Sequence, residues 1–289
     1  EAPVFEKASI DEFYLDLTGM DRFFDPLQWT HELRAKIMQY TGLPISFGLA
    51  ANKMLAKMAT NEAKPNGWKF IPHGEEQAFL DPLRADKIPG VGEQTFRNLL
   101  QIGIETIYEL RQARPELLQK FLGKHGLDLW HKAHGIHNSA VTGWQEAKSI
   151  STENTFEQNI TDLQFLDREL VRMTEKLGYE LRQDNKMAGC VAVKIRYPDF
   201  ETTSRQTTIP YTFYDDELIQ HARQLFAQLY RKGQPVRLMG VKVSELTDEA
   251  RQTNLFQDQA RKSDLYKAID AVKNKFGKTA IFKAGGTKN

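Results

Sequence analysis

Apolar positions along the chain repeat with two periods, and the switches between them mark out its elements. Runs 4–8 and 13–17 alternate as strands do, the second with Phe13, Leu15 and Leu17 on one face before Gly19, and they flank Ser9-Ile10-Asp11-Glu12. A hairpin is predicted there. Trp29, Leu33 and Ile37 recur at helical spacing, predicting a helix over 28–40 that Gly42-Leu43-Pro44 stops. Residues 45–50 read as a buried strand, Asn52 as the cap of a helix reaching residue 62, and 68–71 as another short strand. Helices follow over 93–102, 104–111 and 115–134. The pattern lapses at 141–147, then resumes as strand 149–156, helix 161–183, strands 188–197 and 202–211, helix 215–231 and strand 236–246. That order is βαββαβ, a separate sheet-and-helix unit. The expected fold class is multidomain α/β (α+β): a mixed sheet around the hairpin in 1–81, an all-helical unit in 82–140, a linker at 141–147, the βαββαβ unit in 148–247 and a tail over 248–289.

Composition changes this picture little. The 289 residues hold material for two or three cores, and 40% hydrophobic with 27% charged residues is ordinary for a globular protein. No apolar run approaches the roughly 18 residues that span a bilayer, and no signal-peptide pattern opens the chain, so no membrane is expected. Cys190 is alone, which excludes a disulfide framework or a cysteine zinc site and suits a reducing cytoplasm. The net charge of +1 names no partner, but eight Lys or Arg face three Asp from 258 to 289.

Candidate chemistry begins with the acidic pair. Neighbours in a regular strand point to opposite faces, so Asp11 and Glu12 converge on one ligand only from a turn. At a hairpin tip their oxygens suit a hard divalent cation; two solvated acids are the alternative. Lys64, in the turn Ala63-Lys64-Pro65-Asn66-Gly67, is either a point charge for a phosphate or an ordinary solvated lysine. Lys87-Ile88-Pro89-Gly90-Val91-Gly92 joins two helical stretches in the arrangement of a helix-hairpin-helix. Its glycines allow close backbone approach and the amides opening the next helix form an anion site, so a phosphate backbone binds without basic side chains. The alternative there is a plain helical hairpin. His131, His134 and His137 have no acid or cysteine at ligand spacing and read as solvated. Strands of the last unit carry Lys194, Arg196, Arg205, Arg237 and Lys242, which on one sheet face would follow a phosphate backbone or simply aid solubility.

In order along the chain, Ser9-Ile10-Asp11-Glu12, Gly48-Leu49-Ala50-Ala51-Asn52-Lys53-Met54-Leu55-Ala56-Lys57, Lys64-Pro65-Asn66-Gly67, Ile88-Pro89-Gly90-Val91-Gly92 and Lys148-Ser149-Ile150 resemble the motifs of DinB-type Y-family DNA polymerases, the translesion class. The resemblance runs to about Leu246. It implies a partial palm (1–81), a helix-hairpin-helix thumb (82–140) and a little finger (148–247). The implied reaction is error-prone, template-directed transfer from a dNTP to a primer 3′-hydroxyl, by two-metal catalysis with Mg²⁺ or alternatively Mn²⁺. Asp11 and Glu12 match two of three acidic metal ligands and Lys64 a contact to the triphosphate. Gly90, Val91 and Gly92 match the hairpin that holds DNA, and Lys148, Ser149, Arg237 and Lys242 fall where little-finger strands grip it. Primer-template DNA and dNTP are the implied partners of a cytoplasmic monomer. The family opens with a strand bearing the first metal-binding Asp, an aromatic residue that excludes ribonucleotides, and fingers. None lies upstream of Glu1, so a truncated piece is expected, able to bind DNA but not to extend a primer alone.

Gln252-Thr253-Asn254-Leu255-Phe256 resembles the peptide by which bacterial polymerases dock on the sliding clamp, the beta subunit, with Gln252, Leu255 and Phe256 as anchors. Alternatively Leu255 and Phe256 pack back on the domain. Leu265, Ile269, Val272 and Phe276, spaced among lysines, predict an amphipathic basic helix before Gly277, expected to pack against its own chain. Two other classes stay in view: a non-catalytic, clamp-tethered DNA-binding module in DNA repair, and an RNA-binding or DNA-repair protein reusing these folds. Against RNA, the last sheet lacks the aromatic pattern of a base-stacking surface.

Overall fold

The computed structural model describes residues 4–143, 146–248 and 257–282, and the chain divides into two compact units, 1–145 and 146–289. In the first, β1 (Val4–Lys7) and β2 (Phe13–Asp16) pair antiparallel, Phe5 opposite Leu15 and Lys7 opposite Phe13. Helix α1 (Pro26–Thr41) starts two residues before the apolar spacing suggests, because Asp25 caps it and Pro26 is preset for helix entry. β3 (Phe47–Leu49) and β4 (Trp68–Phe70) run parallel, with α2 (Lys53–Ala63) as the crossover. Gly48 lets α2 lie directly on β3, since a Cβ there would stand 2.3 Å from the Ala56 carbonyl oxygen.

Five helices follow: α3 (Glu76–Leu80), α4 (Glu93–Gln101), α5 (Ile107–Gln112), α6 (Pro115–Leu122) and α7 (Lys124–Ala133). The helix predicted over 115–134 is therefore two. Gly123 breaks it with φ 64° and ψ −148°, a conformation costly for any residue with a Cβ. α5 begins later than predicted, because Thr106 and Glu109 form a capping box there. One core runs from Met54 through Leu80, Ile88, Leu99 and Leu129 to Ala133, so the sheet-bearing and all-helical parts share an interior. No described residue before Met54 is buried. Phe5 and Phe13 are each 55% exposed on the hairpin's open face.

The second unit is β5 (Ser149–Ile160), α8 (Leu163–Gln183), β6 (Lys186–Arg196), β7 (Thr202–Thr212), α9 (Asp215–Leu229) and β8 (Val236–Asp248). Its antiparallel sheet has the order β5-β8-β6-β7. Helices α8 and α9 cover one face over a core that includes Leu166, Leu170, Val191, Val193, Met239 and Val241. The tail helix α10 (Gln257–Phe276) packs on the same core through Tyr266 and Ile269; of its predicted apolar stripe Ile269 docks, while Leu265 and Phe276 are 57% and 66% exposed. No described helix is long and apolar enough to cross a membrane.

Candidate metal centre and nucleic-acid interface

The acidic pair sits where the hairpin turns. Ala8 and Ser9 donate backbone N–H groups to the Glu12 carbonyl at 2.9 and 3.2 Å, closing the loop, and the Ser9 hydroxyl donates to Asp11 Oδ1 at 2.7 Å. That hydrogen bond chiefly holds the Asp11 carboxyl below its ordinary value; desolvation opposes it, and the Asp11 backbone amide and the charges of Lys64 and Lys57 add to the lowering. The shift places Lys64 within electrostatic reach of Asp11.

Helix α2 supports the hairpin through residues that sequence reasoning did not single out. It buries Met54, Leu55, Met58 and Ala59, which turns Lys53 and Lys57, one turn apart, outward on the same side. Lys57 Nζ donates to Glu12 Oε1. Lys53 Nζ donates to both Glu6 carboxylate oxygens at 2.8 and 2.7 Å, lies over the Tyr14 ring, and reaches the Ala140 carbonyl at 3.1 Å. Glu6 also accepts from the Thr142 amide at 2.8 Å, so one ion pair ties hairpin, helix and the 139–142 segment together. The available signal was two lysines four apart opposite an apolar helical face. At the other end of α2, the exposed Lys64 opens a loop braced by Arg34, which donates to the Asn66 carbonyl at 2.9 Å.

In the helical part, a short 3-10 turn, Ala85–Lys87, stands where a helix ending near Ile88 was expected. The Val91 amide donates to the Ile88 carbonyl at 3.0 Å, Gly90 takes φ 97°, and Gly92 opens α4 with no side-chain cap. The hairpin thus offers backbone amides at a helix start, as an anion site requires. Lys132 Nζ, 3.4 Å from the Pro89 carbonyl oxygen, underpins the turn from α7. His131 and His134 lie against Trp130, with His134 Nδ1 2.8 Å from its carbonyl oxygen.

In the second unit, strand pairing sorts the five basic residues. Lys242 is level with Ser151 and Ala192, Lys194 with Gly240 and Ser204, and Arg196 with Leu238 and Thr202, so these three share the face away from α8 and α9. Ser149, Ser151, Ser204, Gln206 and Thr208 share it too. Arg205, level with Val193, faces the other way, and Arg237 alternates with Lys242 and lies over the Phe200 ring at 4.8 Å. The expected basic face is therefore made of three residues, with hydroxyls around them. Lys148 is exposed just before β5. Gln252, Leu255 and Phe256 lie outside the described residues. Among the described residues no three His, Cys, Asp or Glu side chains gather as a metal cage; Asp11 and Glu12 stand as a pair.

Comparisons with known proteins agree with one another. Residues 1–61 match the impB/mucB/samB family, 147–255 that family's C-terminal domain, and 86–137 the thumb domain of DNA polymerase-iota. A DNA polymerase IV from Dehalococcoides mccartyi is 34% identical over 283 residues, 97% of this chain and 73% of the relative. Another from Caulobacter vibrioides is 35% identical, covering 96% and 70%. Among solved structures, a Y-family DNA polymerase chimera superposes with a TM-score of 0.72 at 25% identity, over 86% of this chain and 72% of that one.

Proposed function

We propose a division of labour for this chain, which belongs to the DNA polymerase IV family of Y-family DNA polymerases and is by that membership a DNA-directed DNA polymerase: the Ser9 to Glu12 turn is its metal centre, Lys64 its triphosphate contact, and the Gly90 to Gly92 hairpin and the open sheet face its grip on primer-template DNA. The observation that carries this reading is the pair of adjacent carboxylates at a braced hairpin tip, one of them oriented by the Ser9 hydroxyl. The donor set fits a hard cation: all oxygen, two carboxylates side by side, and no soft ligand. When bound there, Mg²⁺ or Mn²⁺ supplies charge that neutralises a triphosphate and lowers the pKa of a primer hydroxyl.

The chain's own residues do the positioning. Ser9 orients Asp11 through its hydroxyl, and Lys57 holds Glu12 against α2. Lys64, whose charge is felt at Asp11, would meet the triphosphate as a point charge. At the helix-hairpin-helix, the Gly92 opening of α4 receives a phosphate on its amides. On the sheet, Ser149 and Lys242 share the DNA-facing side with Lys194 and Arg196, Lys148 is exposed just before β5, and Arg237, which alternates to the other side and lies over Phe200, is left out of this grip. The palm, thumb and little-finger boundaries, synthesis across damaged template, monomeric state and clamp docking through Gln252, Leu255 and Phe256 belong to the same reading. The motif order and the family matches support it.

Manganese electron paramagnetic resonance on the purified chain tests the centre. Retention of Mn²⁺ with dNTP is expected, lost in Asp11→Asn with Glu12→Gln and weakened in Lys64→Ala. Equal retention by the wild type and the double variant refutes the assignment. Incorporation opposite an abasic template position by the polymerase tests the translesion part.

A further inference from the structure

The loop that carries Lys64 is pinned at both ends. The Lys64 amide donates to the Asn61 carbonyl at 3.4 Å, where α2 stops. Where β4 is about to begin, the Gly67 amide donates to Ser46 Oγ at 3.1 Å and the Gly67 carbonyl accepts from the Phe47 amide at 3.2 Å. The turn is tight: a Cβ on Gly67 would stand 2.1 Å from the Ala63 carbonyl oxygen. Between those ends Asn66 takes φ 49°, in the left-handed region that residues with a Cβ seldom enter. Such a conformation persists where the surrounding contacts over-determine it.

Arg34 supplies those contacts. From α1 its Nη2 donates to the Asn66 carbonyl at 2.9 Å and to Asn66 Oδ1 at 2.5 Å, while its Nε donates to the Ile45 carbonyl at 2.9 Å. One nitrogen therefore grips main chain and side chain of the same residue, which fixes the backbone and rotamer of Asn66 together. The other ties that grip to the residue two before β3. A planar guanidinium holds its donors in a fixed fork, so Ile45 and Asn66 are set relative to each other. All three acceptors are neutral oxygens, so the bonds place the loop without neutralising the arginine.

The residue that gains from this brace is Lys64. A lysine side chain is a point charge on a flexible four-carbon stem, and only the main chain from which it springs can be fixed in advance of binding. The Cα atoms of Lys64 and Asn66 are at most about 7 Å apart along the chain, so a shift at Asn66 is passed to the root of the lysine. Arg34 is half-buried and Lys64 exposed: the brace lies within the fold and the ammonium it serves is open to solvent.

We propose that Arg34 is a positioning residue for triphosphate binding, bridging Ile45 and Asn66 so that the 64–67 loop presents Lys64 from one fixed conformation. This rests on the reading of Lys64 given above. Calorimetric titration of the purified chain with dATP and Mn²⁺ tests it as a double-mutant cycle, with melting curves confirming that each variant is folded. Arg34→Met and Arg34→Lys are each expected to weaken dATP binding about fivefold, a coupling usual within one hydrogen-bonded network, and to have no further effect in Lys64→Ala. Lysine keeps the charge of Arg34 but not its fork, and replaces methionine as the variant if methionine prevents folding. Exchange of the Gly67 amide, followed by NMR, is expected to quicken in both. Equal weakening with and without Lys64 means that Arg34 acts independently of it, and overturns the proposal. Wild-type affinity in Arg34→Lys overturns it too, because charge alone then suffices. Wild-type affinity in both Arg34 variants, beside weakened binding in Lys64→Ala, overturns the brace and leaves the Lys64 reading standing. Wild-type affinity in Lys64→Ala overturns that reading and the brace with it.

Discussion

Replacing Arg182 with Met removes the guanidinium shared by Asp215 and Asp270. The side chains of Asp215 and Asp270 are only 2% and 12% exposed. Burial alone would lower the arginine's pKa, yet its bonds to the two carboxylates raise it, so the pairs more than offset desolvation. Removing one member of a buried ion pair costs about 3–5 kcal/mol, because the remaining charge stays desolvated. For a cooperative unit of about 140 residues, 1 kcal/mol shifts the melting temperature by about 3–4 °C, so a global loss would lower it by about 9–20 °C. The alternative route for the strain is local: α10 undocks, Asp270 returns to water and the melting point falls less. Hydrogen exchange by mass spectrometry separates these, with α10 amides losing protection in either case. A melting temperature within about 2 °C of wild type together with unchanged α10 protection would refute the role given to this guanidinium. Arg182→Met combined with Asp270→Leu is expected to recover part of the loss, since an apolar replacement of the whole pair leaves no buried charge between those partners.

Gly48→Ala is expected to destabilise the first unit by about 1–3 kcal/mol in urea unfolding, because the added methyl meets backbone of α2 that cannot swing aside; full stability would contradict the packing described. Glu6 has its pKa lowered first by the Lys53 hydrogen bond and then by the Thr142 amide. Its contribution is therefore present above the ordinary carboxylate value and lost as pH falls through the lowered one. In Lys53→Met, NMR titration should move the Glu6 carboxyl upward, and an unmoved titration would mean that the pair does not form in solution. Glu153→Gln is expected to strengthen primer-template binding by the chain and to steepen its salt dependence by about one phosphate, read by fluorescence anisotropy across a salt series. An unchanged slope would count against Lys194 as a DNA contact.

Much of this fold was legible because both periods are strong. The βαββαβ order, the Asn52 cap and the hairpin around Asp11 and Glu12 all stand in the pattern of apolar positions. The break at Gly123 was not, since the apolar spacing continues through it and only the backbone angle there ends α6. Which side of α10 docks was also hidden. A periodic stripe predicts which face is apolar, but Arg182, Asp215 and Asp216 lie far away in sequence and decide which face docks. Asp11, Glu12 and Lys64 were found through their motifs, whereas Lys53 and Lys57 stood in a motif run without a role of their own until α2 was seen against the hairpin. Likewise Arg205 and Arg237 could be separated from Lys194, Arg196 and Lys242 only once the strand register was known.

Gly240 leaves a notch in β8, and through it the Glu153 side chain crosses from β5 to Lys194 on β6 at 2.5 Å; a Cβ on Gly240 would stand 2.7 Å from Glu153 Cγ. The open face of the sheet therefore carries its own counterion, covalently attached. When a phosphate takes Lys194, the displaced anion stays with the protein and gains no freedom by entering bulk solution, so less of the usual entropy of ion release accompanies that contact. On the proposed DNA-binding reading, a strand meeting Lys194 would do so by such an exchange, a looser hold than an unneutralised lysine gives.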